Sequence, residues 1–129
     1  MLRQIARSRA GLFAGIAGAS AVLLGAFGAH ALRGTLDADH RELWHTAVQY
    51  HFWHALALAV AAWTGQGRAG RCAVIAFALG IVLFSGSLYA LALGAQRWVG
   101  IVTPFGGVAF IVGWIALGLA LQRQRNDLR

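Results

Sequence analysis

Thr46–Thr64 reads TAVQYHFWHALALAVAAWT, nineteen residues without one Asp, Glu, Lys or Arg. As a helix rising ~1.5 Å per residue, such a run is about 28 Å long, enough to cross a hydrocarbon core of about 30 Å. Yet Gln49, Tyr50, His51 and His54 crowd its first half. Ionisable residues inside a membrane span are expensive and default to a functional-site hypothesis. The stretch therefore points to a membrane helix and, within it, to a candidate site.

The flanking sequence repeats the pattern. Gly11–Leu32, Val74–Leu93 and Pro104–Leu121 also lack charged residues, and overall the chain is 59 % apolar and 12 % charged over 129 residues. Soluble domains carry about a quarter charged residues. The apolar runs show no two-residue alternation, and backbone groups in lipid must pair internally, so they read as helices rather than barrel strands. The expectation is an all-α integral membrane four-helix bundle, one domain over 1–129, with spans at about 11–32, 46–64, 73–93 and 103–121. The first span follows Arg3, Arg7 and Arg9, and Ala29-His30-Ala31 imitates a cleavage site. Its apolar run exceeds the about 7–15 residues of a signal core, so a retained helix is expected.

All 11 basic residues are arginine. Arg3, Arg7 and Arg9 precede the first span, Arg68 and Arg71 lie between the second and third, and Arg123, Arg125 and Arg129 follow the fourth. Arg33, Arg41 and Arg97 lie on the opposite side, so the positive-inside rule places both termini in the cytoplasm. Flanking arginines of this kind match topology and anionic headgroups rather than nucleic acid, despite a net charge of +7. Cys72 is the single cysteine, which excludes an internal disulfide, a CxxC pair or a thiolate zinc site. It reads as a small interfacial packing residue.

With this orientation, Gln49, Tyr50, His51 and His54 fall in the outer half of the second helix. Ser85, Ser87 and Tyr89 fall in the outer half of the third, Thr103 opens the fourth, and His30 closes the first. About 100° per residue groups Tyr50, His51 and His54 on one arc, opposite Phe52, Trp53, Leu56, Val60 and Trp63. On the third helix Ser85 and Tyr89 share a face, while Phe77, Phe84, Leu88 and Leu91 gather on another. A polar pocket between the first three helices, near the outer surface, follows.

The spacing leaves its chemistry open, and no cofactor is assigned. His51 and His54, with His30 or His45 as a third ligand, could hold a metal ion; an imidazole could also serve a haem or a quinone. The simpler reading is histidines that hydrogen-bond across helices at ~0.6 kcal/mol each. Gly11, Gly15, Gly18 and Gly25 form a small-residue stripe that marks the first helix as the central packing helix. In Thr103-Pro104-Phe105-Gly106-Gly107, Thr103 reads as a cap and Pro104 as the first helical residue.

Four blocks, Gly25–Leu32 (GAFGAHAL), Trp44–His51 (WHTAVQYH) with His54–Leu58 (HALAL), Phe84–Tyr89 (FSGSLY) and Thr103–Gly107 (TPFGG), together resemble the small membrane proteins of domain-of-unknown-function family 423. The resemblance implies a four-helix inner-membrane protein and no defined activity. Its motif residues coincide with the polar residues reached by counting arginines and helical angles. The expected function is a non-enzymatic accessory or assembly subunit of a larger membrane complex; the expected partners are the lipid bilayer and either such a complex or further copies of the chain in a homo-oligomer. The alternatives are a small-ligand binder using His30, His51 and His54, and an oligomeric solute transporter or channel, for which broken helices and intramembrane carboxylates are lacking.

Overall fold

The chain forms four helical rods. The first two are α1 (Leu2–His30) and α2 (Ala38–Thr64); the third is a composite of α3 (Gly67–Gly80), a π-helical turn (Ile81–Ser85) and α4 (Gly86–Ala92). A 3-10 turn, Arg97–Ile101, leads into the fourth rod, α5 (Thr103–Asn126). The structure, a computed structural model, describes residues 2–64 and 67–126, with side chains from Arg9 onward. The side chains of Arg3 and Arg7, and Arg129, all used in the arginine count, lie outside the described residues. Among the described residues there is no strand.

Local chemistry sets the ends. Asp37 precedes α2 and accepts from the His40 amide at 2.9 Å, satisfying an amide that the first turn leaves free. It also accepts from His40 Nδ1 at 2.7 Å. Hydrogen bonds from a backbone amide and an imidazole favour the ionised carboxyl, so the Asp37 pKa lies below the ordinary carboxylate value. This cap makes α2 begin eight residues before the expected start of its span. Gly67 (φ +72°) and Gly94 (φ +90°) take left-handed turns that open α3 and close α4, a conformation that suits glycine.

The centre of the bundle is α2, which touches α1, both halves of the third rod and α5. Its Ala47, Ala57, Leu58 and Ala61 are buried with Phe77 of α3 and Phe110 and Leu117 of α5. The expected lipid-facing arc is borne out, since Phe52, Trp53, Leu56, Val60 and Trp63 are all exposed. Three stretches, Arg9–His30, Gly67–Ala92 and Arg97–Asn126, are long and apolar enough to cross a membrane. α2 is long enough but falls short on apolarity, because its polar residues sit within the same window.

Other expectations are corrected. α1 is peripheral rather than central: it lies along α2, and only 6 % of its apolar window is buried. A Cβ added at Gly11, Gly15 or Gly18 would meet nothing within 4 Å, whereas one at Gly25 would approach Val48 Cγ1 at 3.3 Å. The packing face of α1 runs instead through Ala14 and Ala21, both buried, about a quarter turn away. Methyl groups provide the van der Waals contact that holds helices together in lipid, and a glycine by itself provides none. Phe77 is buried, because its face of α3 meets α5, and Leu88 of α4 is buried as well. Cys72 is exposed and packs no interface within the molecule.

Candidate functional site

His51 lies at the midpoint of α2, with thirteen residues of the helix on either side. The Ser20 hydroxyl donates to the Ala17 carbonyl at 3.0 Å, so the Ser20 oxygen accepts from His51 Nε2–H at 3.2 Å. His51 Nδ1 then accepts from the Tyr89 hydroxyl at 3.0 Å. The bonding pattern assigns the tautomer and gives one directed chain, Tyr89 to His51 to Ser20 to Ala17, that ties α4 and α1 to α2. Tyr89 is braced by Trp44, with ring centroids 4.7 Å apart, and Trp44 Nε1 donates to the Leu24 carbonyl of α1 at 3.0 Å.

His54 is equally buried but serves the other side of α2. Its Nδ1–H donates to the Tyr50 carbonyl at 2.7 Å, and its Nε2 accepts from Trp114 Nε1 at 3.2 Å. The imidazole stacks on Phe110 of α5, with centroids 3.5 Å apart and planes 11° from parallel. Both ring nitrogens are occupied, so metal ligation there would cost a hydrogen bond and a stack. Tyr50 packs its ring on Phe84 at 4.4 Å and completes this aromatic layer.

Hydroxyls tie the remaining contacts. Ser85, fully buried in the π turn, donates to the Ala47 carbonyl at 2.8 Å. A π turn inserts an extra residue and re-aims the side chains that follow it, and Gly86 N–H bonding to the Ile81 carbonyl is its signature. The Ser87 hydroxyl donates to Phe84 O at 2.9 Å, so its oxygen accepts from Thr103 Oγ1 at 2.7 Å. That is the hydrogen bond made by Thr103, in place of the expected cap on its own helix. Among the described residues no buried side-chain nitrogen or oxygen lacks a partner.

The single expected pocket is thus divided. His51 and Tyr89 meet on the α1 and α4 side, Ser85 reaches the Ala47 carbonyl from the π turn, and Tyr50 and His54 meet α5 and α3. Gln49 and His30 are exposed and join neither cluster. Ser20, the α1 partner of His51, precedes His30 by ten residues, about 15 Å of helix, so His30 lies too far along for a shared ligand. Among the described residues no group of three His, Cys, Asp or Glu is placed to hold a metal ion.

Sequence reasoning missed Ser20, Trp114 and the glycines under aromatic rings. Ser20 is the one hydroxyl in Gly11–Leu32 and Trp114 the one indole in α5, which was the available signal. A Cβ at Gly28 would strike Trp44, at Gly80 the Phe110 ring, and at Gly106 the Phe84 backbone. At Gly113 it would reach Phe77 at 2.7 Å. Beside His51 a lateral groove of about 420 Å3 opens between α1 and the third rod, with Ser20 and Tyr89 in its lining.

Comparison with known proteins adds the family. Residues 24–107 match the model described as "Protein of unknown function (DUF423)". The chain is 49 % identical over 105 residues to the UPF0382 membrane protein YwdK of Bacillus subtilis, covering 78 % of this chain and 85 % of that one. It is 44 % identical over 106 residues to the UPF0382 inner membrane protein YgdD of Escherichia coli K12, covering 80 % and 81 %. No solved structure matches. The matched segment holds His51, His54, Ser85, Tyr89 and Thr103 and omits Ser20 and Trp114. With four helical rods, three of them apolar enough to span, this chain is a multi-pass inner-membrane protein and belongs to the DUF423 family.

Proposed function

We propose that the chain is a non-enzymatic accessory subunit that docks a helix of a larger membrane complex through the open face of α1. One observation carries this. Gly28, Gly80, Gly106 and Gly113 each lie under another side chain or backbone, whereas Gly11, Gly15 and Gly18 line one face with nothing against it. Small residues on such a face allow a second helix to approach closely, and interhelical contact in lipid depends on that approach. The paired state of the buried histidines supports the same reading, since their ring nitrogens are used to hold helices.

The test is native mass spectrometry on protein extracted gently from its own membrane. Wild type is expected in a heavier assembly, and Gly15→Leu is expected to release the 13.7 kDa chain with its helix content unchanged. A bare monomer or homo-oligomer from both proteins would refute the accessory role. The groove beside His51 supports a second reading, a lipophilic ligand with a carbonyl or hydroxyl head. That reading requires a discrete adduct on wild type that His51→Ala loses.

A further inference from the structure

We infer that the cavity between the loop ends of α1 and α2 holds the phosphate head and the first chain segment of an anionic phospholipid. The cavity encloses about 550 Å3, within the range of small-molecule sites. Its inner wall is apolar, built from Leu32, Trp44 and Val48 beside Gly28; Arg33, Arg41 and Glu42 line its mouth. Trp44 is fixed there by its bond to the Leu24 carbonyl, and the absence of a side chain at Gly28 lets the indole lie close to α1. The wall is therefore held in place by the bundle.

The two arginines make the mouth selective. Arg41 Nη1 donates to the Arg33 carbonyl at 3.4 Å, which draws the start of α2 toward the loop. Among the described residues the only ion pair is Asp37–His40, so neither guanidinium has a carboxylate within 4 Å. Two guanidinium groups against one Glu42 carboxylate leave a net charge of +1 over an apolar wall. Guanidinium groups bind phosphate oxygens through paired N–H donors. Topology does not account for these two residues, since they lie on the side with few arginines. The loop end of the span is also where headgroups sit, so an acyl chain entering over Val48 would continue along α1 and α2 in lipid.

The purified full chain, exchanged into detergent containing equimolar phosphatidylglycerol and phosphatidylethanolamine, tests this by native mass spectrometry. Retention of one phosphatidylglycerol per chain in preference to phosphatidylethanolamine is expected. Retention should fall roughly fivefold for each guanidinium removed in R33Q and R33Q/R41Q. Ala29→Trp, which fills the cavity without changing charge, should abolish it; this variant decides the matter if the arginine variants fail to fold. Equal retention of phosphatidylethanolamine would mean that Glu42 and the arginines read a zwitterion, and would overturn the proposal. So would unchanged retention in the variants. Release of the adduct by millimolar inorganic phosphate would replace the lipid with a free-anion site and overturn it too.

Discussion

At the scale of single residues, the two buried histidines do different work, and substitution should separate them. Tyr89→Phe removes the donor to His51 Nδ1 and keeps the ring packed on Trp44, so a loss of ~0.6 kcal/mol is expected, the usual size of an interhelical hydrogen bond in lipid. His54→Ala removes a ring stacked on Phe110 and leaves the Trp114 N–H without its acceptor, so the loss should reach ~2–4 kcal/mol. Unfolding in mixed micelles, followed by far-ultraviolet circular dichroism, ranks the two; equal losses would contradict the division of the site. Asp37 gives the pH prediction. Its pKa is depressed in the folded chain, so its capping contribution is present above the ordinary carboxylate value and is lost as pH falls from about 4 through the folded value. Carboxyl chemical shifts should titrate below those of an unstructured Asp, and Asp37→Asn should remove the acid-dependent part of α2 fraying. The inward direction of His51 and His54 was legible from the 100° rule. Which neighbour each meets was not, because the two lie only about 60° apart around α2 and the angle carries no information on where α1 and α5 lie.

At the scale of elements, glycine changes meaning with the neighbouring helix. Gly106 permits α5 to approach the backbone of the π turn, so Gly106→Ala should cost ~1–3 kcal/mol through overpacking. Gly15→Ala faces open space and should be neutral or stabilising by up to ~1 kcal/mol, from helix propensity. Thermal unfolding of both variants in the same micelles measures the difference in sign; a destabilising Gly15→Ala in the isolated chain would place a helix against that face within the protein itself. The four rods were legible, since each contains all but at most two residues of a charge-free run of 18 to 22 residues. The start of α2 was hidden, because hydropathy marks where a helix enters lipid, while the helix itself extends to its cap at Asp37. The π turn left no local signature, as Ile81–Ser85 has no Pro or Gly within it. It becomes intelligible only with Gly106 opposite and Ser85 reaching Ala47.

At the scale of the molecule, the membrane role of α2 decides the topology. By apolarity alone only α1, the third rod and α5 qualify as spans, and three crossings would put the termini on opposite sides. The packing argues for four. α2 touches every other rod, its buried histidines and Trp44 are hydrogen-bonded, and its outward arc of Phe52, Trp53, Leu56, Val60 and Trp63 is apolar and exposed. Pairing removes most of the desolvation cost that the hydropathy of His and Trp records, so α2 can cross lipid with a mean hydropathy below that of its neighbours. With four crossings the arginine count sets both termini in the cytoplasm. A fluorescent-protein fusion after Arg129 should therefore glow, alkaline phosphatase placed there should be inactive, and phosphatase inserted at Gly34 or Ala95 should be active. A phosphatase-active C-terminal fusion with a cytoplasmic N-terminus would mean three crossings, and α2 would then have to lie outside the bilayer with its aromatic arc in water. Exposing that arc to solvent costs more than burying paired histidines, which is why the four-crossing outcome is expected.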